Sequence, residues 1–166
     1  MTTGVKTGKV TGRRTLHLKS LDDVLADLEQ LEAAHSAGTL RTLGNWSAGQ
    51  VFAHLAMLFE FSIDGFPFKA PMPIRFVGPA FKKRALREGG VPAGIKLSGP
   101  AVEALIPPDD VSFEQGMQRL RAMIDRVKGG ERMTQRSPIF GSMTHDEWTM
   151  LQLNHCALHL SFLQPQ

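Results

Sequence analysis

Two histidines, His155 and His159, stand four residues apart near the carboxyl end of the chain. Residues separated by four positions lie on one face of a helix, one turn apart. The two imidazoles could therefore bind a single transition-metal ion. At about 100° per residue, the apolar side chains of Leu151, Leu158 and Phe162 fall on the same face. Two interpretations follow: a buried metal site, or core histidines that find other hydrogen-bond partners.

A third histidine, His54, lies on the apolar face of a second predicted helix, beside Val51 and Leu58. A lone histidine in such a place is more often a core residue than a ligand. Together with His155 and His159, however, it would give three nitrogens from two facing helices, with open positions for water or substrate. That arrangement is typical of catalytic rather than structural metal sites. The spacing predicts a metal site of His54, His155 and His159, with core histidines as the alternative.

The other candidate residues lie off this face. Cys156 is next to His155 but about 100° around the helix, and it is interpreted as a small buried thiol, although participation in the site is not excluded. His145 falls in the first turn of the last helix and is expected to be exposed. His17 and His35 fall in the amino-terminal arm and near the end of the first helix. None of these three histidines shares the predicted face.

Four helices must position these residues, and each is marked by a capping residue followed by apolar residues at helical spacing. Trp46 and Trp148 are predicted to act as hydrophobic staples at two of the helix starts. Trp148 lies on the same side of its helix as His155, so lining a pocket mouth is the alternative for it. The absence of a convincing alternating strand pattern indicates an all-α helical bundle. The four predicted caps, each with its partner three residues on, are Ser20 with Asp23, Ser47 with Gln50, Ser112 with Gln115, and Thr144 with Glu147.

The connection between the second and third of these helices is unusually long. It covers residues 67–111 and contains eight of the ten prolines, whereas helix–helix connections in bundles are usually about 2–8 residues. Such a segment can cross over the bundle, so that the two helices run parallel. A short helix is predicted within it, over residues 77–87. Residues 1–19 are predicted to form a flexible basic arm, and residues 20–166 a single domain.

Composition limits the classes of function. The chain has 166 residues, of which 42% are hydrophobic and 21% charged, as in an ordinary globular domain. Its net charge of +3 is too small to predict nucleic-acid binding. No apolar run is long enough to predict a membrane span, so no membrane partner is expected. The cations cluster in the arm and in residues 69–87, where a pocket for an anionic small ligand is the alternative to a solvated loop. The single cysteine, and the absence of an apolar region after Arg13-Arg14, favour a cytoplasmic location.

These features together resemble the DinB-like superfamily of bacterial four-helix proteins, which includes the YfiT-type metal hydrolases. The arm sequence Arg13-Arg14-Thr15-Leu16 and the segment 44–65 look closest to an uncharacterised-domain branch of that superfamily. The resemblance covers most of the chain from residue 13 onwards. Its marks, in order, are Asn45-Trp46-Ser47, His54, the long connection, Gly141-Ser142-Met143-Thr144 with Glu147-Trp148, and His155-x-x-x-His159.

The resemblance implies an up-down-down-up four-helix bundle with a crossover between helices two and three. It implies a divalent metal, most often nickel or zinc, held by His54, His155 and His159. Some relatives are transferases or isomerases that use a low-molecular-weight thiol, and dimers are common, so a homodimer acting on a small molecule is expected. The function expected is that of a metal-dependent thiol transferase, isomerase or hydrolase. The alternative is a non-catalytic ligand-binding or stress-associated bundle without a metal.

Overall fold

The computed structural model describes residues 6–94 and 104–166, and this part of the chain is mostly helical. A two-residue antiparallel ladder pairs β1 (Arg41–Thr42) with β2 (Leu163–Gln164). The expectation of a mainly helical chain is confirmed, and the ladder is too short to appear as an alternating pattern. The main helices are α1 (Leu21–Ser36), α2 (Ala48–Asp64), α3 (Met72–Ala85), α4 (Phe113–Lys128) and α5 (His145–Leu160).

The capping boxes predicted at the starts of α1, α2, α4 and α5 are confirmed. In α2, Ser47 accepts a hydrogen bond from the Gln50 N–H, and the Gln50 side chain accepts one from the Ser47 N–H. In α5, Thr144 and Glu147 form the same reciprocal pair. Each box satisfies two backbone donors that the helix itself leaves free, and a cap is worth about 1 kcal/mol. The caps therefore fix where the histidine-bearing helices begin.

Helix α2 packs against both α4 and α5. Its contact with α4 is closest at two glycines, because a Cβ atom added to Gly116 would lie 2.3 Å from the carbonyl oxygen of Gly49. At the other ends of the same two helices, Arg126 forms an ion pair with Asp64 at 2.7 Å. Both contacts advance in the same chain direction, so α2 and α4 run parallel to each other.

Two further helix pairs, α1 with α4 and α5 with α2, run antiparallel. Helix α1 pairs with α4 through Glu32 and Arg121 at 2.8 Å, and through an ion pair that joins Asp22 to Lys128. Helix α5 lies against α2, where the buried Gln152 donates a hydrogen bond to a buried serine hydroxyl at 3.3 Å. The apolar core fills the space between these helices. Its largest fully buried side chains include Trp148, Phe52, Phe59, Leu28, Leu31, Leu55, Leu120 and Ile124.

Helix α3 differs from the prediction of a short helix over residues 77–87, because it begins at Met72 and ends at Ala85. Pro73 lies in its first turn, where the missing N–H removes no helical hydrogen bond. A Cβ atom at Gly78 would lie 2.1 Å from the carbonyl oxygen of Ile139, so α3 rests directly on the loop before α5. The part of the predicted crossover at residues 95–103 lies outside the described residues.

Two residues of the segment predicted as a flexible arm, residues 1–19, make long-range contacts. Arg14 forms two hydrogen bonds to Asp27, at 2.6 and 2.9 Å, and donates a third to the carbonyl oxygen of Leu160 at 3.0 Å. Arg13 lies over the Phe162 ring, 4.8 Å from its centroid. Asp27 is buried on α1 and a buried carboxylate needs a charged partner. Residues 1–5 of the predicted arm lie outside the described part of the chain.

Candidate metal centre

The three predicted histidines come together where α2 faces α5. One nitrogen from each of His54, His155 and His159 lies within 4.8 Å of the other two. The ring centroids are 4.5–5.0 Å apart. His54 comes from the second turn of α2, and the other two come from the last turns of α5. The structure thus brings together all three residues that the sequence singled out, and the helix ends set by the capping boxes determine their positions.

A hydrogen bond to a backbone carbonyl determines the tautomer of His54. Its Nδ1 lies 2.7 Å from the carbonyl oxygen of Leu105, and a carbonyl can only accept, so Nδ1 carries the proton and Nε2 of the neutral ring holds a lone pair. That Nε2 lies 3.2 Å from Nε2 of His155. Two nitrogens on one tetrahedral zinc ion would be about 3.3 Å apart for Zn–N bonds near 2.0–2.1 Å. The His54–His155 pair therefore has the spacing of two ligands.

His155 has a buried nitrogen without a partner. Its Nδ1 has no hydrogen bond to any of the described residues. Without a metal, its Nε2 could donate to the lone pair of His54, but Nδ1 would then remain an unsatisfied buried acceptor, at a cost of about 1–3 kcal/mol. With a metal on Nε2, Nδ1 would carry the proton and would equally lack a partner among the described residues, so this nitrogen does not distinguish the two states. The fit to a divalent transition-metal ion rests on three neutral imidazoles whose nitrogens lie close together.

Trp46 holds the third histidine in place. Its ring is stacked on His159, with centroids 5.8 Å apart and an interplanar angle of 16°, and it lies 4.8 Å from the His54 ring. The sequence predicted Trp46 as a hydrophobic staple before α2, and the side chain does pack against the core. Because it also contacts two of the histidines, Trp46 forms a wall of the site.

Burial keeps the three histidines neutral. Desolvation lowers the pKa of His54, although the hydrogen bond to Leu105 partly opposes this. Desolvation also lowers the pKa of His155 and of His159 well below the usual value, and repulsion from the neighbouring histidines adds to the effect. Among the described residues that line the site, none is an aspartate or glutamate that would favour the imidazolium form. Neutral imidazole is the form that binds a metal.

A cavity of about 500 Å³ opens beside the histidines, within the range of about 300–1,000 Å³ that is usual for small-molecule sites. Its walls come from α2, α3, α5 and the loops between them, and both tryptophans contribute. The loop phenylalanines Phe66, Phe68 and Phe140 were not predicted from the sequence, because no periodic pattern marks them, whereas Phe162 was expected on the face of His155 and His159. The aromatic lining residues are Trp46, Phe66, Phe68, Phe140, Trp148 and Phe162.

Cys156 does not belong to this centre. The side chain is fully buried, and desolvation, assisted by the negative charge of Asp27, raises the pKa of the thiol to about 12. A metal-binding or nucleophilic cysteine needs the thiolate form. The observed environment is therefore that of the small buried thiol that the sequence predicted.

The other described histidines also lie away from the triad. His145 was expected to be exposed, but it is half-buried and its Nδ1 accepts a hydrogen bond from the Met133 N–H at 3.1 Å. That donor is a backbone group of the loop before α5, which the helical pattern could not reveal. His17 is exposed and contacts Glu88, and His35 is stacked on an aromatic ring of α4.

Fold and site together define a mainly helical protein with three converging histidines at an apolar cavity. The chain belongs to the family described as "Protein of unknown function (DUF1569)", whose profile matches residues 10–166. No curated protein and no solved structure matches the chain. The matched region includes the three histidines and Arg14. In the part of the chain that the structure describes, no helix has the length and apolarity needed to cross a membrane.

Proposed function

We propose that this protein binds one divalent metal ion, zinc or nickel, through His54, His155 and His159, and uses it in thiol-dependent transfer, isomerisation or hydrolysis of a small molecule. The observation that carries the proposal is the convergence of three neutral, desolvated imidazoles at the edge of an apolar cavity. A three-histidine set leaves coordination positions open for a substrate.

The proposal includes the architecture of the DinB-like superfamily. In it, α1, α2, α4 and α5 form an up-down-down-up bundle, and α3 lies in the crossover. The helix directions support this assignment, because α2 runs parallel to α4 whereas α1 opposes α4 and α5 opposes α2.

The metal, the residues that contact the histidines and the cavity walls would have separate parts in the chemistry. A bound divalent ion supplies Lewis acidity, which brings the pKa of a thiol towards neutral pH. Leu105 orients His54 through the 2.7 Å hydrogen bond, and Trp46 orients His159 by stacking. The apolar walls exclude water and so strengthen electrostatic interactions inside the cavity. Because no carboxylate is present among the described lining residues, thiol transfer is favoured over hydrolysis assisted by a side-chain base.

A second candidate is a non-catalytic ligand-binding or stress-associated bundle without a metal. The 3.2 Å contact between His54 and His155 favours it, since this contact is also a good hydrogen-bond length. The lack of a carboxylate base in the described lining favours it too. This candidate predicts that replacing the histidines changes stability but no metal-dependent property.

The proposal further includes a cytoplasmic homodimer. Helix α3 leaves Met72, Phe76 and Val77 exposed by 57%, 76% and 54%. Covering such apolar side chains with a second copy of the chain would be favourable, because apolar surface would leave water.

The experiment is elemental analysis of protein purified without a histidine tag, followed by a thiol assay. We expect zinc or nickel in the wild type and none above background in His155→Ala. The thiol assay measures the loss of free thiol from a panel of low-molecular-weight thiols mixed with 1-chloro-2,4-dinitrobenzene. Thiol loss that requires both the metal and His155 supports a transferase. Metal uptake without metal-dependent thiol loss would overturn the transferase while leaving the metal site intact.

A further inference from the structure

We infer that the cavity beside the histidines binds an amphiphilic monoanion of the medium-chain carboxylate type, with its apolar body against the aromatic walls and its anionic group at Lys69. This inference deepens the proposed function by naming the ligand class of the same cavity. As an assignment of substrate it rests on that function, but the binding itself does not require the metal.

The body of the ligand is indicated by the walls. Apart from the histidines, the described lining is almost entirely aliphatic and aromatic, with Asn45, Thr7 and Ser137 as its few uncharged polar side chains. A polar or sugar-like molecule would lose its hydration there without gaining enough hydrogen bonds. A flexible or aromatic hydrocarbon body would instead gain from every surface that leaves water.

The sign of the head group is indicated by one side chain. Lys69 is the only lysine, arginine, aspartate or glutamate among the described residues that line the cavity. It is exposed and forms no ion pair or hydrogen bond within the described part of the chain. Lys82, on α3, is by contrast paired with Glu147 at 2.7 Å. The positive charge at the rim is therefore available to a ligand.

Charge complementarity then selects one class of ligand. A cationic head would meet the like charge of Lys69 and no compensating carboxylate among the described lining residues, and a neutral head would leave the exposed ammonium hydrated, with no gain. An anionic head completes an ion pair, and it does so at the rim, where solvent screens the interaction. Exposed ion pairs are worth up to about 1 kcal/mol, so we expect a preference of about three- to fivefold over a neutral ligand of equal length.

The place of binding can be tested with 11-bromoundecanoate, because bromine quenches tryptophan fluorescence on contact. The chain has two tryptophans, and both line the cavity. We expect saturable quenching of the metal-free protein, kept in a chelator so that the carboxylate has no metal to bind. Absence of saturable quenching would overturn the inference.

The selectivity can be tested by displacing that probe with decanoate, decan-1-ol and decyltrimethylammonium below their aggregation concentrations. In the wild type, decanoate should bind about three- to fivefold more tightly than decanol, and decyltrimethylammonium more weakly than either. In Lys69→Met the preference for decanoate should vanish while decanol binding remains. The matched control is Lys83→Met, which removes an exposed cation of α3 that does not line the cavity and should keep the preference.

Equal binding of decanoate and decanol by the wild type would overturn the anionic assignment, and so would an unchanged preference in Lys69→Met. These results are independent of metal uptake, because the titrations use metal-free protein. A protein that binds decanoate but no metal would refute the proposed metal function alone. A protein that binds metal but shows no quenching would refute the ligand class alone.

Discussion

At the scale of single residues, the three histidines have different constraints. His54 has its proton fixed on Nδ1 by the Leu105 carbonyl, and His159 has its ring plane fixed by Trp46. His155 approaches His54 through Nε2 at 3.2 Å, while its buried Nδ1 has no hydrogen bond to a described residue. A metal would thus join two ligands that have neighbours orienting their rings to a third whose other nitrogen has no such support.

The lowered histidine pKa values predict how the stability of the metal-free protein depends on pH. An unfolded histidine takes up its proton near the ordinary histidine pKa of 6.5, whereas the folded histidines do so at lower pH. Between those values the unfolded chain binds more protons, so the free energy of unfolding falls as the pH falls. We expect urea denaturation to show lower stability at pH about 5.5 than at about 7.5, with up to about 1.4 kcal/mol per pH unit for each histidine.

One argument and one variant separate the effect of the histidines from that of the carboxyl groups. Hydrogen bonds to Arg126 and Lys82 hold the pKa values of the Asp64 and Glu147 carboxyl groups below their ordinary values of 3.8 and 4.5. The contributions of these carboxylates are therefore lost only at more acidic pH. His155→Asn should show a shallower dependence than the wild type. Equal stability at the two pH values would contradict the prediction.

Because the folded histidines take up their protons only below the usual histidine range, metal affinity should also begin to fall only below that range.

Cys156 provides a separate prediction. With the thiol fully buried and its pKa raised to about 12, native protein should react very slowly with a thiol reagent such as 5,5′-dithiobis(2-nitrobenzoate) and rapidly in urea. Cys156→Ala should keep full metal binding. Fast labelling of the native protein, or loss of metal in this variant, would show that the thiol is accessible or ligates the metal.

At the scale of elements, the starts of α1, α2, α4 and α5 could be predicted because capping boxes are local. Ser47 and Gln50, for example, are three residues apart and contact each other directly. The spacing of His155 and His159 is local as well, and so is the apolar face of α2. The start of α3 could not be predicted equally well, since Pro73 reads as a helix breaker unless it is known to lie in the first turn.

The long-range contacts of the amino-terminal segment could not be predicted, because nothing near Arg14 in the sequence indicates its pairing with Asp27. They predict a contrast between two variants. Arg14→Met would leave the buried Asp27 without its partner and should lower the free energy of unfolding by about 3 kcal/mol. Removing residues 1–12 should leave the fold intact, because the ion pair remains. Chemical denaturation of both proteins measures the contrast, and equal effects would show that the arm acts as a single unit.

At the scale of the whole molecule, the cavity could not be predicted from the sequence. Its walls combine three helices with phenylalanines from separate loops, such as Phe66 and Phe140, which meet only in the folded chain. The pairing of α2 with α4 could be anticipated in part, since the long connection allows parallel helices. The close contact of Gly49 with Gly116 that fixes this pairing has no signal in the local pattern.

The proposed homodimer predicts the mass in solution. Sedimentation equilibrium at micromolar concentration should give twice the chain mass of 18.3 kDa. If the exposed face of α3 forms the interface, Phe76→Asp should shift the equilibrium towards the monomer, because it would bury a charge against the partner. Arg75→Ala, on the same helix, is a milder control. A monomeric wild type would contradict the proposed homodimer.

We propose that His54, His155 and His159 form one metal site. Titration of metal-free protein with zinc against a chelating indicator tests this site most directly. The wild type should bind one zinc ion per chain, and His54→Ala, His155→Ala and His159→Ala should each weaken binding by about 100-fold or more, since two nitrogens make a poor site. His35→Ala and His145→Ala, which lie off the triad, should bind as the wild type does. If the wild type takes up neither zinc nor nickel above background, or if the triad variants bind equally well, the three residues are core histidines and the proposed thiol chemistry has no activating centre.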